Sequence, residues 1–254
     1  PRVAASPCDG EFVTSGVSDG RLRADTGTVP PMITAAPSRE RHDVLTADRP
    51  AWRGLMHAWA FFAVIPAGVL LIIFAEHAAA KTAASIYFAA LLAVFGTSAA
   101  YHRLTRTYRQ RLIMQRLDHA MIYLMIAGSY APICLVALPR AWGIPLMAVV
   151  GGIGVLGMAL KAFAWNRGKV ISYVLYLVMG WAAMVALPVM ATHLSGLQLT
   201  LVITSGVAYT VGVPVLLLRR PDPWPKVFGY HEIWHTLTVV AAFLHFGAVA
   251  LVLR

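Results

Sequence analysis

Apolar residues from Trp52 onward form seven long runs, separated by short polar or charged segments. Each run is long enough to cross about 30 Å of hydrocarbon as a helix. Backbone polar groups in lipid must be paired within the spanning segment, so runs of this length predict helices. We therefore predict an all-α membrane protein with seven transmembrane helices, near residues 54–75, 83–102, 117–138, 142–163, 170–191, 197–218 and 230–253.

The first 48 residues follow a different pattern. They are rich in Gly, Pro, Ser, Thr and charged residues and have little apolar periodicity. Such a segment cannot bury enough apolar surface to offset the entropy lost on ordering. We therefore predict a disordered N-terminal tail over residues 1–48 and a seven-helix transmembrane domain over residues 49–254. In the fourth run, Gly151, Gly152, Gly154 and Gly157 predict close packing between helices.

The distribution of charge predicts the orientation of the helices. Only 13% of the residues are charged and 59% are hydrophobic, whereas soluble domains carry about a quarter charged residues. One set of loops carries thirteen basic residues: Arg49, Arg53, Arg103, Arg106, Arg109, Arg111, Arg116, Lys161, Arg167, Lys169, Arg219, Arg220 and Lys226. The opposite side carries three: Lys81, Arg140 and Arg254. The positive-inside rule then predicts a cytoplasmic N-terminus and a C-terminus outside. The net charge of +10 is therefore not taken to indicate a nucleic-acid partner, since the short loops supply no binding fold.

Polar residues in three of the runs are predicted to meet in one layer near the cytoplasmic side. His231 and His235 open the seventh run, and their spacing of four places both on one helix face. Ser98 and His102 have the same spacing at the end of the second run. Asp118 stands at the start of the third run, followed by His119. This convergence predicts a polar site formed by three helices.

The residue types in this layer are typical of a catalytic zinc site. Three imidazoles, from His102, His231 and His235, leave the fourth position of the metal for water. Zinc lowers the pKa of such a water toward ~7 and polarises a carbonyl group. Asp118 is predicted to act as general base and then acid, and Ser98 to orient the water or bind an oxyanion. Alternatives are a hydrogen bond from Ser98 to its own helix and an ion pair between Asp118 and a loop arginine.

A second carboxylate lies within the histidine pair. His231-Glu232-Ile-Trp-His235 matches the H-E-x-x-H pattern of zinc proteases. The flanking spans exclude a soluble protease domain. We expect Asp118 rather than Glu232 to be the base, although the sequence leaves the choice open. His57 is a candidate partner of the ligands, and His245 is expected to be a buried histidine with its hydrogen bonds satisfied.

Four motifs resemble one known family. They are Ser98-x-x-x-His102, Arg116-Leu-Asp118-His119-Ala-Met-Ile, Ala127-Gly-Ser-Tyr-Ala-Pro132 and Phe228-Gly-Tyr-His231-Glu-Ile-Trp-His235. They are similar to the hemolysin III proteins, the bacterial branch of the progestin and adiponectin receptor family. The resemblance implies zinc held by the three histidines, with Asp118 reaching the metal through water and Ser98 nearby. The polar pattern also resembles the alkaline ceramidases, which implies hydrolysis of a lipid amide.

The first helix departs from this family. Many relatives have an acidic residue and an Asn before a His, whereas this chain has Trp52-Arg53-Gly-Leu-Met-His57. Only the histidine of that motif is present.

Together these observations favour a zinc-dependent intramembrane hydrolase that acts on an amide or ester of a lipid-like substrate, in the plasma membrane of a bacterium. The expected partners are the lipid bilayer and this substrate. Two alternatives are a cytolytic, pore-forming protein and a membrane receptor or sensor stabilised by zinc. The oligomeric state is left open by the sequence.

Overall fold

The computed structural model describes residues 50–163 and 169–254, and the side chains of 169 and 170 are not described. The predicted disordered tail lies outside these residues. The described residues form eight α-helices: α1 Leu55–Ile73, α2 Ala78–Arg103, α3 Tyr108–Pro132, α4 Arg140–Phe163, α5 Lys169–Trp181, α6 Leu187–His193, α7 Gly196–Leu218 and α8 Tyr230–Val252.

These helices make seven segments that are long and apolar enough to cross a membrane. α5 and α6 belong to one segment, because the 3₁₀ turn Ala182–Ala186 joins them. α3 continues through a π-helical turn, Ile133–Ala137. Within the described part of the chain, the β structure is limited to an isolated bridge between Trp224 and Phe228. The predicted seven-helix membrane fold is confirmed.

The start of α3 differs from the prediction. The helix begins at Tyr108, nine residues before the predicted position. Thr107 accepts a hydrogen bond from the backbone N–H of Gln110, and the Gln110 side chain accepts one from the Thr107 N–H. This capping box pairs two N–H groups that the first helical turn leaves free. As a result Arg109, Arg111 and Arg116 lie on the helix rather than in a loop.

α2 packs against three other helices. Its face toward α1, α3 and α8 is lined with buried alanines, including Ala80, Ala83, Ala84 and Ala90. Small side chains let membrane helices approach closely. Lipid provides no hydrophobic driving force for helix association, so the van der Waals contacts made at short distance stabilise the bundle. The first and last spans are therefore neighbours beside α2.

α1 is joined to the α8 region at both of its ends. Before α1, the N–H groups of Ala51 and Trp52 donate to the carbonyl oxygens of Lys226 and Val227 at 3.1 and 3.2 Å. After α1, the N–H of Glu76 donates to a carbonyl oxygen at the end of α8. These contacts fix the height of α1 along the bundle.

Two of the four glycines in α4 pack as predicted. Gly157 lies against the ring of Tyr123, and Gly154 lies against α3 near Ala127. Gly151 and Gly152 face open space, so the prediction of close packing is wrong for them.

This contrast gives a matched pair of variants. Gly157→Val is expected to lower the free energy of unfolding by about 1–3 kcal/mol, because the added atoms must displace a buried tyrosine ring. Gly151→Val, on a part of α4 that faces open space, is expected to change the free energy of unfolding little. Unfolding by SDS in mixed micelles measures both. Equal effects would contradict the packing described for α4.

The bundle has one end with most of the basic residues. At this end α1, α3, α5 and α8 begin, and α2, α4 and α7 end. We call it the basic end. Large apolar side chains such as Phe62, Val185 and Leu218 are more than two-thirds exposed along the sides of the bundle. Such a surface is suited to lipid rather than water.

Candidate metal centre

The start of α8 is held by one side chain of the helix and one from the segment before it. The N–H of Gly229 donates to Glu232 Oε2 at 2.9 Å, and the N–H of Tyr230 donates to Asp222 Oδ1 at 3.1 Å. These bonds occupy N–H groups that the first turn of a helix leaves unpaired. They fix the first two turns of α8, which carry His231 and His235 on one face.

The structure brings His102 of α2 to this histidine pair. One ring nitrogen from each of His102, His231 and His235 lies within 4.8 Å of the other two. The ring centroids are 5.1 Å apart for His102 and His231, 5.2 Å for His102 and His235, and 4.5 Å for the pair on α8. The last turn of α2 and the first turns of α8 thus form a compact group of imidazoles at the basic end.

The nitrogens of this group suit a metal ion. Both ring nitrogens of His231 and Nε2 of His235 are buried and have no hydrogen-bond partner among the described residues. A buried polar atom without a partner costs about 1–3 kcal/mol, and a bound metal removes that cost. Three neutral imidazoles with an open fourth position are a ligand set typical of zinc. The residues therefore fit a divalent metal such as zinc.

Ser98 and Asp118 lie beside the histidine group. Ser98 is fully buried one turn before His102, and its hydroxyl approaches the Asp118 carboxyl group. The hydroxyl makes no hydrogen bond of good geometry within the described part of the chain. The alternative in which Ser98 bonds to its own helix is therefore wrong. Nor does Asp118 form a salt bridge with any described arginine. Its carboxyl group is instead next to Ser98, which lies one helical turn before His102.

Glu232 has a different environment. Only 1% of its side chain is exposed, and its Oε1 accepts a hydrogen bond of 2.6 Å from Nε of Arg53. Its Oε2 accepts the N–H of Gly229. Because both oxygens are occupied, this carboxylate holds α1 against α8 and caps the helix. That environment favours Asp118 over Glu232 as a proton acceptor.

Three further histidines have distinct partners. Nε2 of His57 lies 2.8 Å from Nδ1 of His235. His119 points back to a carbonyl oxygen of its own helix. His245 is buried, and its Nε2 donates to the carbonyl oxygen of Ser129 at 3.1 Å. The expectation of a satisfied buried histidine is confirmed for His245.

Sequence reasoning missed the role of Gly54. This residue has a left-handed backbone with φ of 78°, and a Cβ placed on it would come within 2.6 Å of the Cβ of His102. Glycine is the residue that takes both the conformation and the close approach. A glycine directly before an apolar run is the signal that indicates such a turn. Gly54 places the segment before α1 against the histidine group.

Comparison with known proteins bears on this arrangement. A model of the family described as haemolysin-III related matches residues 45–246, a range that includes every site residue named above. The chain belongs to the haemolysin-III-related family. The resemblance stated from the four motifs is confirmed.

Three known proteins are similar to this chain over most of their length. The Hemolysin-3 homolog of Bacillus subtilis (strain 168) is 30% identical over 188 residues, which is 73% of this chain and 85% of the relative. Hemolysin-3 of Bacillus cereus is 30% identical over 188 residues, covering 73% and 83%. The Heptahelical transmembrane protein ADIPOR2 of Oryza sativa subsp. japonica is 26% identical over 185 residues, covering 66% and 81%. The last similarity supports the relationship to the adiponectin receptors.

Proposed function

We propose that this member of the haemolysin-III-related family is a zinc-dependent hydrolase that cleaves an amide or ester of a lipid within the membrane. The observation that carries the proposal is the close group of His102, His231 and His235. In this group both ring nitrogens of His231 and Nε2 of His235 are buried and have no hydrogen-bond partner among the described residues. Its position next to the Ser98–Asp118 pair adds an acid–base group to a metal site. A purely structural metal site does not need that group.

Each residue has a distinct task in this proposal. The three imidazoles hold the metal, and a bound zinc ion supplies Lewis acidity for activating water and polarising a carbonyl group. A carboxylate oxygen of Asp118 takes a proton from the attacking water and passes it to the leaving amine or alkoxide. The Ser98 hydroxyl orients the Asp118 carboxyl group. Glu232 holds α8 in place and takes no part in proton transfer.

The surroundings of the site support a lipid-like substrate. The site lies between membrane-spanning helices whose sides are apolar and exposed. A substrate with acyl chains reaches such a site from the bilayer, while its polar group needs the few polar side chains there. The resemblance to the alkaline ceramidases supports an amide as the bond that is cleaved. The excess of basic residues supports a cytoplasmic position for the basic end, and the two Bacillus relatives support a bacterial plasma membrane.

Membrane lysis is a second candidate function. It is favoured by the name Hemolysin-3 that two relatives carry. In that case the histidine group stabilises the bundle and does no chemistry. A receptor or sensor with a structural zinc ion is the third candidate, and it predicts a ligand-dependent change of conformation without turnover.

Reconstitution of the protein into vesicles separates these functions. One set of vesicles contains an N-acyl sphingoid lipid and a phospholipid, and released fatty acid is measured by mass spectrometry. A second set is loaded with a fluorescent dye at self-quenching concentration. We expect fatty acid release that a zinc chelator abolishes, and no release of dye. Dye release without hydrolysis would instead support lysis. Absence of both hydrolysis and dye release would support the receptor or sensor.

A further inference from the structure

α1 reaches the candidate metal centre through one side chain. Nε2 of His57 lies 2.8 Å from Nδ1 of His235, the two ring planes are 86° apart, and the ring centroids are 4.0 Å apart. Only 4% of His57 is exposed. This is a hydrogen bond between two imidazoles that are separated by 178 residues in the chain.

The direction of this hydrogen bond follows from counting protons. In a neutral imidazole one nitrogen carries a proton and donates, and the other has a lone pair and accepts. A single proton therefore lies between Nδ1 of His235 and Nε2 of His57. His235 can bind a metal through Nε2 only if its proton is on Nδ1. That proton is then donated to His57, which must carry its own proton on Nδ1. The arrangement matches the free Nε2 of His235, which has no partner among the described residues.

From this geometry we propose that His57 is a positioning residue of the metal centre. By accepting the Nδ1 proton of His235, it fixes Nε2 as the metal-binding atom, holds the plane of the ring and increases the basicity of that nitrogen. The inference rests on the proposed metal site. It assigns to α1 a task that neither the metal ligands nor the Ser98–Asp118 pair performs.

Contacts on either side hold His57 in this position. One helical turn earlier, Arg53 is paired with Glu232 of α8 at 2.6 Å. On the far side, the Thr238 hydroxyl lies 3.2 Å from Nε2 of His57 and donates to the carbonyl oxygen of His235 at 2.8 Å. Since Nε2 accepts the Nδ1 proton of His235 in the inferred tautomer, the Thr238 oxygen packs against this nitrogen without a hydrogen bond to it. The Arg53–Glu232 pair and this packing contact hold the His57 ring beside His235.

The second nitrogen of His57 is also buried. Nδ1 has no hydrogen-bond partner within the described part of the chain. In the inferred tautomer it carries the ring proton, and a buried donor without a partner costs about 1–3 kcal/mol. A polar group kept at that cost needs an explanation, and the contact of Nε2 with a candidate metal ligand supplies one.

The test is zinc affinity, measured on detergent-purified full-length protein by competition with a chelating dye. His57→Leu removes the acceptor and is expected to weaken zinc binding about 10–100-fold. In His57→Gln the amide oxygen can accept the same proton, so affinity is expected to return to within a few-fold of the parent value. His245→Leu removes another buried histidine, about three turns along α8, and is expected to bind zinc like the parent protein.

A spectroscopic readout separates positioning from general loss of packing. With Co²⁺ in place of zinc, the visible absorption bands report ligand geometry, and they are expected to shift in His57→Leu and to be restored in His57→Gln. Thermal unfolding of the metal-free variants checks the fold. If His57→Leu does not fold, His57→Phe removes the acceptor while keeping an aromatic ring next to Phe95.

The outcomes are distinct. Parent-like zinc affinity in a folded His57→Leu or His57→Phe variant would overturn the inference while leaving the proposed metal site intact. Equal losses in the Leu and Gln variants would also overturn it, because shape rather than proton acceptance would then be responsible. Absence of zinc binding in the parent protein would refute the proposed function and this inference together.

Discussion

The parent protein, purified gently in detergent, is expected to contain close to one zinc ion per chain, whereas His102→Ala and His235→Ala are expected to contain almost none. Catalytic zinc sites have three protein ligands, so the loss of one imidazole leaves a site with two. These variants remove ligands from different helices, α2 and α8, which tests whether both helices contribute to one site. Elemental analysis of the monodisperse protein peak measures the result.

His193→Ala is the matched control for metal content. His193 lies at the exposed end of α6, away from the basic end, and its loss is expected to leave the zinc content unchanged. Thermal unfolding of each variant tests whether metal loss reflects a local change or collapse of the bundle. A parent protein without metal, or variants that keep it, would contradict the metal centre and favour lysis or another function.

The second large effect is expected at Asp118. Asp118→Asn keeps the size of the side chain but cannot accept a proton at neutral pH. Positioned general acid–base groups contribute typically 10²–10⁴-fold to a rate. Hydrolysis of the lipid amide in vesicles is expected to fall by that factor, while the zinc content stays near one per chain. Both quantities are measured on the same preparation.

Asp222→Asn provides the corresponding control. Asp222 caps the start of α8 by accepting the N–H of Tyr230, and asparagine is about as good a cap. Its hydrolysis rate is therefore expected to stay within a few-fold of the parent rate. A folded, zinc-containing Asp118→Asn variant with an unchanged rate would remove Asp118 from the role of base.

The spans were predictable because the membrane imposes one simple requirement: about 20 apolar residues with internally paired backbone. The ends of the helices were less predictable, because capping side chains decide them. Thr107 and Gln110 extend α3 backward into a charged segment. The His77 side chain caps α2, which begins five residues before the predicted start. Hydropathy alone does not register such local hydrogen bonds.

For the candidate site, the helical spacing of His231 and His235 was sufficient to bring both rings to one face, and the alternation of spans placed His102 at the same depth. The ion pair of Arg53 with Glu232 was not predictable, since its members are separated by 179 residues. The sequence also did not determine which of the four glycines in α4 face another helix. Both depend on the rotation of each helix about its axis, which only the neighbouring helices fix.

The position of two proposed ligands on α8 has a consequence for biosynthesis. α8 is translated after the other described helices, whereas Ser98, His102 and Asp118 enter the bilayer several spans earlier. Before α8 arrives, Arg53 and His57 also lack their partners. Unpaired polar groups are costly in lipid, so an incomplete chain carries polar side chains that the finished protein pairs. Insertion of α8 is therefore the step that completes the centre and pairs these side chains.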